Sequence, residues 1–339
     1  MNKTKKQYAM TVVIFFTLVL FFSGCGGDSG SGGSTGLTYA GIETQVLIDA
    51  NNADEVVENA YINTNMARNT ADTIYLNPNS TDYSEILGRH RPVSIALART
   101  TNHFINQTEI PNASQQLSYR ALVQESEGTE IGVCGGESSY HLVIDNTKGT
   151  FSLSATFDNY CANEGVLING TMSMRGQFNM QTASMNNSVS FTNLQVILEE
   201  SNTSITTTGT MAIVTEFMTF SCTMTMNMIM QDNLTEKTYC VDNFVLTMPP
   251  SSTTQLTFTL EGRFYDYDYG YCDISTETPF SISVDGSEPT SGTLVISGAN
   301  GSGGGNTSAK LIIDSNSYEV QADTNGDGTY DYESGSLTW

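Results

Sequence analysis

The sequence predicts a mainly β protein: an antiparallel meander forming a rolled sheet or half-open barrel, with one or two short N-terminal helices. Three observations predict it. Only 14% of the 339 residues are charged, and Thr, Ser, Asn and Gly are abundant, unlike a helical bundle or a charge-rich disordered chain. Beyond about Leu117, apolar and polar residues alternate in one run after another, the period of half-buried strands. Turn-forming clusters separate these runs without room for crossover helices, so consecutive strands pair antiparallel.

The chain opens with Lys3, Lys5 and Lys6, then the uninterrupted apolar run Thr11 to Phe22. A run of about a dozen residues is too short to span a bilayer and reads as the core of a signal peptide, residues 1–24. Phe22-Ser23-Gly24-Cys25 follows. Small residues before a cysteine resemble the bacterial lipobox, at which the Cys25 thiol is acylated and the leader removed. Residues 26–36, GGDSGSGGSTG, then form with Cys25 a flexible tether, because glycine and serine offer no apolar surface to bury. Gly26 and Gly27 stand where an Asp favours inner-membrane retention in enteric bacteria, so the resemblance implies the outer membrane.

Residues 37–116 read as an extended and helical segment that packs on the sheet. Asn52 as N-cap, with Glu55 three residues on, predicts a capping box and a short helix with Val56, Val57, Ala60 and Tyr61 on one face. A second helical window spans Ser84 to Gln107, interrupted at Pro92.

Residues 117–339 read as the sheet domain. Strands are expected at Tyr140–Ile144, Phe151–Phe157, Ser188–Ile197, Thr206–Phe220 and Leu256–Tyr265, with turns at Asn146–Gly149, Ile168–Gly170, Glu200–Asn202 and Asp232–Asn233. Folding the chain about Asn146–Gly149 brings Cys134 and Cys161 together just beyond the hairpin, and a disulfide between them is expected in an oxidising compartment. Cys222, Cys240 and Cys272 remain, with their pairing open; a turn near Asn233 sets Cys240 opposite Met228.

Met224, Met226, Met228 and Met230 alternate with Thr225, Asn227 and Ile229, so a strand places the four thioethers on one face. That face suits core packing, an adaptable hydrophobic-ligand cavity or soft Cu(I) coordination. Tyr265 to Tyr271 (YDYDYGY) fits an aromatic binding loop or an exposed turn. Asp323, Asn325, Asp327, Thr329 and Asp331 occupy positions 1, 3, 5, 7 and 9 of a loop with Gly328 at position 6. This resembles an EF-hand-type or dockerin-type loop, and structural Ca2+ is the expected cofactor. Ser334 replaces the closing acid at position 12, and the flanking residues read as strands, which fits a plain hairpin turn as well.

Gly36-Leu37-Thr38-Tyr39-Ala40-Gly41, Asp49-Ala50-Asn51-Asn52-Ala53, Gly262-Arg263-Phe264-Tyr265, Gly292-Thr293-Leu294-Val295-Ile296-Ser297-Gly298-Ala299-Asn300 and the ending Asp323 to Trp339 resemble a family of uncharacterised proteobacterial lipoproteins. The resemblance implies an envelope address and lends no activity.

Function is bounded by charge and by motifs. Thirteen bases against 36 acids give a net charge of −23, and losing the three leader lysines makes the mature chain more acidic still. Nucleic acid is disfavoured as a partner. No G-x-S-x-G, H-E-x-x-H or phosphate-cradling loop is present, and His90, His103 and His141 lack ligand spacing. The expectation is a non-enzymatic lipoprotein, anchored by Cys25 to the outer membrane and meeting other envelope components. Its alternatives are a periplasmic lipid carrier with a Met-lined half-barrel and, from the ending Gly335 to Trp339, an outer-membrane β-barrel.

Overall fold

The computed structural model describes residues 36–61, 123–163, 165–179, 181–199, 202–219, 221–250, 255–283, 289–315 and 317–338. The leader, Cys25, the tether up to residue 35 and the second helical window lie outside the described residues. Among the described residues one helix, α1, covers residues 53–61. The strands are β1 Val123–Ile131, β2 Glu137–Asp145, β3 Thr150–Asn163, β4 Val166–Asn179, β5 Ser184–Leu198, β6 Thr203–Glu216, β7 Ser221–Asp232, β8 Thr238–Met248, β9 Gln255–Asp266, β10 Gly270–Ser283, β11 Pro289–Asn300, β12 Asn306–Asp314, β13 Ser317–Asp323, β14 Tyr332–Glu333 and β15 Leu337–Thr338.

The strands form one antiparallel sheet, hydrogen-bonded in sequence order from β1 to β14, with β15 added to β13. The expected meander is present, and it is open: β1 and β14 are the two ends of the order, so the sheet does not close into a barrel. The end strands limit edge pairing in different ways. β1 exposes Glu125, Glu127 and most of its other side chains, while β14 and β15 are two residues long.

Alternation explains the core. One face of the sheet is buried from β2 to β13 in a single cluster that includes Leu153, Met174, Phe191, Met224, Phe244, Leu246, Phe264, Phe280, Leu294 and Val320. Helix α1 lies against this face with Val56, Val57, Ala60 and Tyr61, the apolar stripe expected from the sequence, and adds Ala53 to it. The rings of Tyr61 and Phe280 have centroids 5.9 Å apart.

The capping box does not form. Asn52 holds the cap position, but its Oδ1 accepts the Asp49 amide at 2.8 Å. Glu55 turns outward and accepts the Tyr269 hydroxyl at 2.6 Å. Two more tyrosines fix the helix: Tyr332 donates to Asp54 at 2.8 Å and Tyr318 to Glu58 at 2.5 Å. Three acids that look like a solvated helix face are therefore docking points on the sheet.

A second departure concerns Ile168-Asn169-Gly170, read above as a turn. β4 runs straight through it, and Gly170, with φ 103°, stands beside bulges in both neighbouring strands, at Asn159 of β3 and Asn193 of β5. It belongs to a row of irregularities across the middle of the long strands: Asn159, Gly170, Asn193, Gly209, Asn243, Gly262 and Gly292 all have positive φ. The asparagines are extra residues of bulges, each bending its strand and shifting the side-chain phase, and Gly170, Gly209 and Gly262 stand beside them on paired strands. β5 buries Val189 and Phe191 before Asn193, then Leu194, Val196 and Leu198 after it. Cys240 stands opposite Ile229 instead of Met228 because the β7/β8 turn closes with Asp232 against Lys237.

Residues 36–48 cross the sheet at the ends of its later hairpins. Tyr39 covers Cys240 and Tyr265 on the face opposite the core. Val46 donates to the Tyr271 carbonyl at 2.8 Å and Ala299 to the Val46 carbonyl at 2.6 Å. Val46 and Ile48 then enter the main core. The segment thus threads from the outer face around the sheet end and delivers α1 to the inner face.

Candidate functional site

The acidic loop between β13 and β14 collects the five residues expected to hold calcium. Asp323 is 3% exposed. Its Oδ1 accepts the amides of Gly326 at 2.7 Å and Asp327 at 3.2 Å, and its Oδ2 accepts that of Gly328 at 2.7 Å. Asn325 accepts the Asp327 amide and Asp327 accepts the Thr329 amide, both at 2.8 Å. Asp331 takes the amide and the hydroxyl of Thr324, each at 2.9 Å, and these bonds hold its carboxyl below the usual range. The carboxylates wind the loop around themselves. No three acidic, His or Cys side chains among the described residues stand at metal-ligand distances from one another.

The neighbouring β11/β12 hairpin fits closely over this loop. Gly303 donates to the Asn325 carbonyl at 2.6 Å and Gly305 to the Gly326 carbonyl at 2.9 Å. Replacing Asp323 by alanine removes the acceptor of three loop amides. A loss of about 2–4 kcal/mol is expected, read as a lower melting temperature, with Asp323→Asn intermediate because it keeps one acceptor oxygen.

The methionine face is part of the core. Met224, Met226, Met228 and Met230 are 0–6% exposed and join the cluster formed by the other strands and α1. The tyrosine-rich run is likewise a packing element. Tyr265 stacks edge-on with Tyr39 at 5.4 Å, and Tyr271 lies 4.2 Å beneath the Arg263 guanidinium, which Asp273 holds from the side at 2.7 Å. Asp266, 2% exposed, receives Asn59 at 2.9 Å, and its burial raises its carboxyl above the usual range.

Cys134 and Cys161 are disulfide-bonded, with Cα atoms 5.4 Å apart. Cys272 is a buried thiol and Cys222 is buried; burial pushes the Cys272 thiol far above its normal range, which leaves it inert as a nucleophile. His141 pairs with Glu125 at the exposed surface, at 2.7 Å.

One feature has no signature in the sequence. On the face opposite the core, a groove of about 660 Å³ runs across β2 to β6. Val143, Arg175, Asn186, Ser188, Ala212 and Val214 line it. The register aligns Val143, Ser152, Arg175, Ser188 and Ala212 in one row across the strands, and Asp145, Thr150, Gln177, Asn186 and Val214 in the next on the same face. Residues up to 71 positions apart, Val143 and Val214, line it together, so only the pairing of five strands reveals it.

Comparison with protein-family models, with curated proteins and with solved structures gave no match for this chain.

Proposed function

We propose that the chain is a non-enzymatic, lipid-anchored envelope protein, carried by Cys25 at the outer membrane with its acidic sheet domain held outside the bilayer. The observation that carries this reading is Phe22-Ser23-Gly24-Cys25 placed directly after a short apolar run and before a Gly/Ser tether. Each buried methylene of an acyl chain contributes about 0.8 kcal/mol to membrane attachment, so two or more chains anchor the protein without a spanning helix. Among the described residues no helix is long and apolar enough to cross a membrane. The Cys134–Cys161 disulfide fits an oxidising compartment. Carriage of a lipid in a methionine-lined cavity draws no support from methionines packed into the core.

Mass spectrometry of the mature N-terminus tests the proposal, together with membrane fractionation of wild type and Cys25→Ala. An acyl mass on Cys25 and release of the variant from membranes support it. A Cys25 peptide that is unmodified, or joined to another cysteine, overturns it.

Calcium is a separate proposal for the β13/β14 loop. Asp323, Asn325 and Asp327 would supply side-chain oxygens and Thr329 its carbonyl, with Asp331 exchanging Thr324 for the ion. Binding to the folded state alone raises stability by mass action, so a melting temperature that rises with added Ca2+ and falls with chelator supports the site. Coincident curves argue against it.

A further inference from the structure

We propose that the groove across β2–β6 binds a monocarboxylate with a short, unbranched apolar chain, gripped at its carboxylate by Arg175. This site is independent of the anchor at Cys25.

The charge pattern points to it first. Five cations lie among the described residues, and four have carboxylate partners: Lys148 with Asp145 at 3.1 Å, Lys237 with Asp268, Arg263 with Asp273 at 2.7 Å, and Lys310 with Glu277 at 2.7 Å. Arg175 has none among the described residues, although the chain carries 36 acids. It is the cation left available to an external anion, and it lines the groove. The one acid in the lining, Asp145, is already engaged. Its Oδ1 accepts the amides of Thr147 at 3.0 Å and Lys148 at 3.2 Å, and its Oδ2 meets the Lys148 ammonium.

The walls define the rest of the ligand. Arg175 stands opposite Ser188, and Ser188 opposite Ala212. The guanidinium row is therefore two strand spacings, roughly 10 Å, from the apolar wall of Ala212 and Val214. Val143 closes the other side, two strands away in the opposite direction. Ser188 and Asn186 are neutral hydrogen-bonding groups between the charge and the apolar wall. A planar guanidinium pairs with a carboxylate through two parallel N–H···O bonds. A monoanion also meets less repulsion than a phosphate dianion from a protein with net charge −23. The volume is in the range of small-molecule sites, about 300–1,000 Å³.

The test uses the full-length protein in nanodiscs of zwitterionic lipid, with hexanoate as probe and empty nanodiscs as blank. Binding is read by saturation-transfer NMR titration, and the melting temperature of each variant is recorded. Hexanoate is expected to bind saturably, and hexanol at least tenfold more weakly. Arg175→Gln should weaken hexanoate at least tenfold without changing the melting temperature, because the side chain is exposed and has no carboxylate partner among the described residues. Val214→Glu, at a position 45% exposed, places a like charge at the far wall and should weaken hexanoate several-fold while leaving the fold intact. No signal above the blank, equal binding of hexanol, or unchanged hexanoate affinity in Arg175→Gln overturns the assignment. Should Arg175→Gln prove unstable, unchanged affinity in Val214→Glu overturns it instead.

Discussion

Replacing Cys134 and Cys161 together by alanine is expected to lower the melting temperature by on the order of 10 °C. The bridge joins residues 27 positions apart. On the chain-entropy model, closing a loop of that size removes about 3–4 kcal/mol worth of freedom from the unfolded chain. A change of 1 kcal/mol moves the melting temperature of a domain of this size by about 2–4 °C. Local structure adds to the effect. The bridge staples the β1/β2 hairpin to the end of β3, where Val133 donates to the Cys161 carbonyl at 2.9 Å and Cys161 to the Gly135 carbonyl at 3.1 Å. β1 is otherwise held by β2 alone and has almost no buried side chains, so this end of the sheet should open first. Hydrogen exchange of the double variant should show faster exchange concentrated in β1 and β2. A variant that melts with wild type, or exchanges uniformly faster, would show that the bridge carries no local load.

This pair was legible in the sequence because its hairpin is locally specified. Four consecutive turn-forming residues, Asn146 to Gly149, lie between two clean alternations, and the observed register from Glu137 opposite Asp158 to Asp145 opposite Thr150 follows from that turn. The one-sided burial of Met224 to Met230 was legible for the same reason: strand period alone fixes it. What escaped is what depends on a third strand. A lone Asn-Gly inside a strand has the chemistry of a turn, and only pairing with the next strand, which carries the bulge at Asn193, keeps Gly170 within β4. Asp54, Glu55 and Glu58 found tyrosine partners more than 200 positions away. The acidic loop was located correctly as a loop, yet spacing could not show that Asp323 spends both oxygens on backbone amides. Arg175 carried no signal at all, since its standing alone among the described cations is a property of what the other four have paired with.

The row of bulges leads to the second large effect. Gly209→Ala is expected to destabilise the protein by about 2–5 kcal/mol, whereas Gly304→Ala should cost about 1–2 kcal/mol. Both glycines have positive φ, 145° and 95°, so each substitution forces an L residue into a backbone region that its Cβ disfavours, at about 1–2 kcal/mol. They differ in what the new methyl meets. At Gly304 it enters open space, while at Gly209 it overlaps the Asn227 carbonyl and falls 2.6 Å from the Met228 Cα. Those are backbone atoms of the paired strand, so no side-chain rotation relieves the clash, and overpacking of this kind adds about 1–3 kcal/mol. The paired strand β7 also turns Met226 and Met228 toward the core on either side of Asn227, which ties the central face to this single hydrogen-sized position. Chemical denaturation of the two variants beside wild type measures the contrast. Equal losses would mean that backbone conformation alone decides the cost and that the close approach of β6 to β7 contributes nothing. A loss at Gly209 larger by about 2 kcal/mol, with an unchanged denaturant slope, identifies close strand approach as what the row of glycines provides.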